Sequence, residues 1–421
     1  MPLGSWLRAL CVLAASVAAG PALAADAPAE IRIGALYAGS GQLASASMPL
    51  HVALEWWADG LNRQGGVYVR AFDRRIPLRL VSYDDQSSPA LAGNLTNELI
   101  TRDKVDILLS DSTSVMTASA VPIARDHKML LWDVTGSSPN FFSADNPYIV
   151  LLGLAATDRY PRSLAEFIGQ MPKLGIRRVA LLYTTADYTA FQAAAARRAV
   201  QGTPGLTLAF DRGVPANTTD YTLLLNAVEA AAPDAFLEFG YPANEIAFLH
   251  AMQDNASKFR FLFTGYGLTE MDLMRRNNVA DQLAYSYALA APAFYSFRTD
   301  YGLDRGQFRA AFEQWVAAHH IAGVEFGFNA LAGYQAGLVI ERALAVADSL
   351  DQMALRRAVF SLSGKLRTLD GPFELAPDGS QSGEILPLAQ IVPGRDGGGE
   401  FGLNIVWPPE LATAKPVYPA P

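Results

Sequence analysis

The stretch GALYAGSG at residues 34–41 ends an apolar strand, Ile31 to Tyr37, in the turn Gly39-Ser40-Gly41. His51 to Leu61 then carries apolar residues at helical spacing up to a second turn, Gln64-Gly65-Gly66. Strand, tight turn and helix in that order predict a βα unit, and the turn lacks the third glycine and the lysine of a phosphate-binding loop. Its glycines are expected to let the backbone approach a cleft. The alternation continues outward. Pro77 to Ser82 reads as a strand, and Asp84 to Pro89 (DDQSSP) supplies turn and helix-start chemistry before Leu91, Leu95, Leu99 and Ile100 line one helical face. Val105 to Ser110 and Met129 to Trp132 read as buried strands. Four strands with helices between them predict a parallel sheet covered on both faces.

A second set follows: Arg178 to Tyr183, Leu206 to Phe210, Ala235 to Phe239, Arg260 to Phe263 and Ala284 to Leu289, separated by helical stretches such as Tyr188 to Val200 and Tyr221 to Ala231. Helical patterns at Gly306 to His319 and Ala330 to Ala347 come next. A strand-turn-strand, Gly371 to Leu375 and Ile385 to Ile391 around Pro377-Asp378-Gly379, follows them, and the Gly- and Pro-rich tail after Gly394 is expected to be irregular. The fold class this predicts is α/β, with two doubly wound parallel-sheet lobes.

At the amino terminus Arg8, the apolar run Ala9 to Ala19 and the small-x-small triplet Ala22-Leu23-Ala24 have the three parts of an export signal, cleaved near Ala24. The run is too short to span a bilayer. The only cysteine, Cys11, lies inside it and lacks a small residue just before it, so the exported chain is expected to hold no lipid anchor, disulfide or cysteine-metal site. The 33 basic residues are outnumbered by 41 acidic ones, a net charge of −8 that becomes −9 once Arg8 leaves. Nothing in that balance suits nucleic acid.

Further motifs carry a resemblance. LNRQGGV (61–67), VSYDDQSSP (81–89), DKVDILLSDSTS (103–114), VTGSSP (134–139), GPFELAPDGS (371–380) and WPPELATAKP (407–416), together with GALYAGSG and in this order, resemble the type I periplasmic binding proteins. More narrowly, the chain resembles the branched-chain amino acid and amide receptors, the leucine-binding protein-like components of ATP-driven (ABC) importers. The resemblance implies two lobes joined by three crossovers, about 26–154 plus 293–384 and 155–292 plus 385–421, closing on a ligand by a hinge motion. It implies a periplasmic monomer that takes a small carboxylate-bearing solute (an amino acid, an amide, or an aromatic or aliphatic acid) and delivers it to an inner-membrane permease, with no cofactor and no catalysis. A ligand-binding sensor of the same fold, or a secreted α/β enzyme, is the alternative.

The resemblance also places the site. Ser114, at a helix start near Val115, would offer a hydroxyl and free N–H groups to a carboxylate, and Thr135, Gly136 and Ser137 would add contacts. Tyr188 would close over the ligand from the second lobe, with Tyr241 beside it. Amino-acid receptors carry a carboxylate on the second-lobe loop to balance the ligand ammonium, and here Tyr266 stands there. Either Glu270, Glu238 or Asp133 substitutes, or the ligand has no α-amine; tyrosines at 188, 241 and 266 would suit an aromatic or unsaturated acid. The five histidines form no metal pattern, Asp84-Asp85 is expected to be a structural turn, and no nucleophile elbow, P-loop or dinucleotide motif is present.

Overall fold

The computed structural model describes residues 27–156, 158–394 and 401–421; the expected export signal, Cys11 included, lies outside the described residues. Two sheets organise the chain. The first consists of β1 (Ile31–Tyr37), β4 (Leu78–Asp84), β5 (Ile107–Leu109), β6 (Leu131–Asp133) and β7 (Ile149–Leu151), in the spatial order β4-β1-β5-β6-β7 and parallel throughout. The second holds β8 (Arg178–Thr184), β9 (Thr207–Val214), β10 (Ala235–Phe239), β11 (Leu262–Phe263) and β12 (Tyr287–Leu289), parallel in the order β9-β8-β10-β11-β12. In both sheets the strands therefore run second, first, third, fourth, fifth. The order reverses beside the first strand, and this is where ligands of open α/β sheets bind, at the carboxyl ends.

Runs such as Ile107–Leu109, buried at all three positions, suit a parallel sheet because both faces are covered. Helices α1 (Ala44–Asn62) and α10 (Phe328–Leu344) pack with α9 (Arg305–Ala318) and α11 (Gln352–Leu362) on one face of the first sheet, around Ile33, Trp57, Trp132, Phe308 and Ile340. The contact is close: a Cβ on Gly337 would meet the indole of Trp57, and one on Gly333 would strike the Leu50 carbonyl. Helices α2 (Pro89–Thr101) and α3 (Ser114–Asp126) cover the other face. Ser88 caps α2 by accepting from Leu91 N at 3.3 Å, with Pro89 at the first helical position.

The second sheet is covered by α4 (Arg162–Ile168) and α5 (Asp187–Gly202) on one side and by α6 (Thr222–Ala230), α7 (Pro242–Asp254) and α8 (Met271–Arg276) on the other. The chain passes between the sheets three times: after β7, after β12, and before β15 (Leu388–Pro393).

Several sequence expectations change. β7 is a fifth strand of the first sheet, too short at three residues to show a period. Gly371–Phe373 (β14) does not pair with the strand near Ile391; it forms an antiparallel ribbon with Leu366–Thr368 (β13), just as β2 (Val67–Val69) pairs with β3 (Arg74–Ile76). β15 instead joins the second sheet, antiparallel to β12. The tail is not wholly irregular, because Phe401–Trp407 (β16) pairs with β15 and closes that edge. The pairing of β12 with β15 joins segments far apart in the chain, and a single strand's composition does not announce its partner.

Candidate functional site

The carboxyl ends of both sheets face one cavity of about 40 Å³, lined by Ala46, Ser112, Thr113, Ser114, Thr135, Leu154 and Tyr160 and by Tyr188, Tyr241, Gly265, Tyr266, Thr269, Glu270, Phe328 and Asn329. That is room for no more than a few waters, so its walls lie close together. Thr269, Glu270, Phe328 and Asn329 also border a larger outer chamber of about 560 Å³ between the same two halves.

One wall is built of hydroxyls. β5 runs into Ser110-Asp111-Ser112-Thr113, and α3 starts at Ser114, so its first N–H groups lack helical partners and its positive dipole end lies at the cavity. Thr113 has φ 77° and ψ 150°, a region glycine normally occupies, and its N–H donates to Thr135 Oγ1 at 3.1 Å. Thr113 Oγ1 and Ser114 Oγ are buried and have no hydrogen-bond partner within the protein. Two buried aspartates hold these loops from behind. Asp111 Oδ1 accepts from Ser112 N at 2.6 Å and from Ser47 Oγ, and Ser47 Oγ in turn accepts from Ala38 N at 2.7 Å. Asp133 Oδ1 accepts from Gly136 N at 2.8 Å, Ser110 Oγ at 3.0 Å and Thr117 Oγ1 at 3.3 Å. Burial pushes the Asp133 carboxyl up to about 7 despite those donors, and pushes Asp111 well above the usual carboxylate range, Asp85 adding repulsion.

The other wall is aromatic. Tyr188 is the second residue of α5, Tyr241 precedes α7, and Tyr266 sits in the loop after β11. The Tyr188 ring centroid lies 6.0 Å from those of Tyr241 and Tyr266, and Tyr160 closes edge-on at 5.7 Å. Tyr241 Oη has no partner within the protein. Glu245, wholly buried on α7, holds Tyr266 in place by accepting its N–H on Oε2 at 2.6 Å. Burial raises the Glu245 carboxyl to about 7, and its neighbour Glu238 is raised well above its ordinary value by burial and by the charge of Glu245.

Ser114, Thr135, Tyr188, Tyr241 and Tyr266 thus come together around the cavity. Gly136 and Ser137 do not line it: Gly136 is tied to Asp133 where a Cβ would collide with Thr117, and Ser137 is fully buried, its N–H donating to Thr135 O at 2.9 Å. Of the three candidate counter-charges, Asp133 and Glu238 are buried behind the walls and Glu270 alone borders the cavity, its carboxyl raised to about 7 by burial. The turn at Gly39-Ser40-Gly41 approaches Asp84, not the cleft: Gly39 N donates to Asp84 Oδ1 at 2.8 Å, and an added Cβ would sit 2.8 Å from Oδ2. Asp84 also accepts from Gln86 N at 2.8 Å, and so acts as a structural turn. Sequence reasoning missed Thr113, Tyr160, Phe328 and Asn329. Among the described residues no group of three or more His, Cys, Asp or Glu could hold a metal ion, and no helix is long and apolar enough to cross a membrane.

Two α/β halves of identical strand order, with a lined cavity between their carboxyl ends, define a bilobal binding protein. The sequence profile described as "Periplasmic binding protein" matches residues 30–397, and the chain belongs to that family. Among solved structures it is similar to the branched-chain amino acid transporter substrate binding protein LivJ of Streptococcus pneumoniae in complex with isoleucine (TM-score 0.71, 18% identity, 90% of this chain and 100% of that one). It is also similar to an ABC transporter substrate-binding protein of Sphaerobacter thermophilus (0.69, 21%, 91% and 99%) and to a solute-binding protein of R. palustris in complex with benzoate (0.69, 17%, 89% and 95%).

Proposed function

We propose that this chain is the periplasmic receptor of an ABC importer. It captures a small carboxylate-bearing solute between two lobes, about 26–154 plus 293–384 and 155–292 plus 385–421, and presents it to an inner-membrane permease. The observation that carries this reading is the pair of buried, unpartnered hydroxyls, Thr113 Oγ1 and Ser114 Oγ, at the start of α3 in a cavity with no Lys, Arg or His in its lining. Such a wall satisfies an anion with neutral donors and a helix end. Thr135 completes it; Gly136 and Ser137 support it from behind. Capture breaks no bond, so the ligand is recovered unchanged.

The tyrosines favour a flat, unsaturated acid, because ring-on-ring contacts contribute about 0.5–1.5 kcal/mol beyond buried area. Relatives of this fold hold isoleucine and benzoate. A thermal-shift panel containing isoleucine, benzoate, 4-hydroxybenzoate and simple amides tests the assignment. Aromatic acids are expected to raise the melting temperature in proportion to ln(1 + [L]/Kd), with affinity near micromolar or tighter, about −8 kcal/mol. A panel in which no acid shifts the melt overturns the reading. One in which isoleucine alone does so assigns Glu270 the ammonium.

A further inference from the structure

Resting on the receptor reading, we infer that Asp187 is a positioning residue that latches the two walls together and sets how long a ligand stays. Asp187 opens α5, one residue before Tyr188, and its Oδ2 accepts from Asn140 Nδ2 at 2.9 Å and from Ser138 Oγ at 3.0 Å. Both donors sit in the loop after β6 that also carries Thr135, whereas Asp187 belongs to the second sheet's half. One carboxylate therefore spans the cleft. Ser138 is fully buried and also caps its own 3-10 turn by accepting from Asn140 N at 3.4 Å, so the donor pair is held in place before the second wall arrives. The start of α5 favours a negative charge, so the acid suits its position even when the bridge is open. The ion pair across the cleft, Arg276 with Glu325 at 3.5 Å, is more than half exposed on both sides and adds little, whereas the Asp187 bridge, although Asp187 and Asn140 are exposed, also ends on the buried Ser138. Because Asp187 and Tyr188 share one helical turn, drawing Asp187 onto the first wall carries Tyr188 over the cavity.

The test compares Asp187→Ala, Asn140→Ala and the double variant. Cys11, the only native cysteine, is removed, and labels are placed on cysteines introduced at the exposed Asp126 and Leu223, one on each half. Without any ligand, both single variants are expected to shift the label-to-label distance distribution toward the open form, Asp187→Ala further because it also releases Ser138, and the double variant no further than Asp187→Ala. With benzoate and isoleucine as probes, the dissociation rate is expected to rise roughly three- to ten-fold while the association rate and the melting temperature of the empty protein hold. Unchanged label distances, or effects of the two variants that add, overturn the latch. If neither probe binds, the receptor reading is what fails, and the label distances still decide the latch.

Discussion

The two walls of the cavity rest on the same scaffold and do different work. The first offers hydroxyls and the start of α3; the second offers the rings of Tyr188, Tyr241 and Tyr266. Behind each sits the same device, a buried carboxylate accepting a loop N–H: Asp111 from Ser112 and Asp133 from Gly136 on one side, Glu245 from Tyr266 on the other. The contrast teaches that strand order and carboxylate pins fix where the loops stand, while the residues on the loops choose the chemistry. An acid group needs directional donors, so its wall is polar; the rest of a ligand needs contact area, so its wall is aromatic.

The largest expected effect comes from breaking the polar wall. Ser114→Ala combined with Thr113→Val removes the two buried hydroxyls that have no partner within the protein, each hydrogen bond to a charged group contributing about 1.5–3 kcal/mol. Acid binding should fall by roughly a hundred-fold or more in calorimetry, with the melt of the empty protein nearly unchanged. A large drop in that melt instead would show that these hydroxyls act as helix caps. Tyr266→Ala on the other wall should cost less, roughly ten-fold, and unevenly: aromatic acids lose more than aliphatic ones. Equal losses across a ligand panel would remove the division of labour between the walls.

The buried carboxyl groups make a prediction for pH. Asp85 is raised to about 6, and Asp133, Glu245, Glu270 and Asp370 to about 7, burial being the first cause in each case. Their folded values lie above the ordinary ones of 3.8 for Asp and 4.5 for Glu, so between roughly pH 4 and 7 the folded chain binds more protons than the unfolded chain. Stability from these groups is fully present below that window and is lost as the pH rises through it. The melting temperature should therefore be higher at pH 5 than at pH 8, and Glu245→Gln, which cannot ionise, should flatten the decline. A melt that rises steadily from pH 5 to pH 8 contradicts the assignment.

How much of this was legible in the sequence depended on whether a feature is local. The βα units beginning at Ile31 and Arg178 were visible because a short apolar run followed by a helical period is written within some 30 residues. Ser114, Thr135, Tyr188, Tyr241 and Tyr266 could be named only through the family resemblance, since a lone hydroxyl or tyrosine at a helix start carries no signal of its own. Tyr160 follows a three-residue strand with no readable period, and Phe328 and Asn329 reach the cavity because α10 packs on α1, a contact between segments far apart in the chain. Gly39 was read as a cleft glycine, but its close neighbour is Asp84, because the parallel register pairs Tyr37 with Asp84 and brings that side chain beneath the turn.

The smallest effect sharpens the comparison at one residue. Thr113 holds φ 77° on the polar wall, and a non-glycine in that region stores about 1–3 kcal/mol of strain. Thr113→Gly releases the strain but adds backbone freedom to the unfolded chain, about 0.5–1 kcal/mol against the fold. The balance favours a small gain, a melting temperature higher by about 1–3 °C. Because the change also deletes Thr113 Oγ1, a buried hydroxyl with no partner in the protein, acid binding should weaken as the melt rises. Opposite movement of stability and affinity is what a wall shaped for a guest predicts. If both fall together, the threonine is a structural residue and the polar wall begins at Ser114.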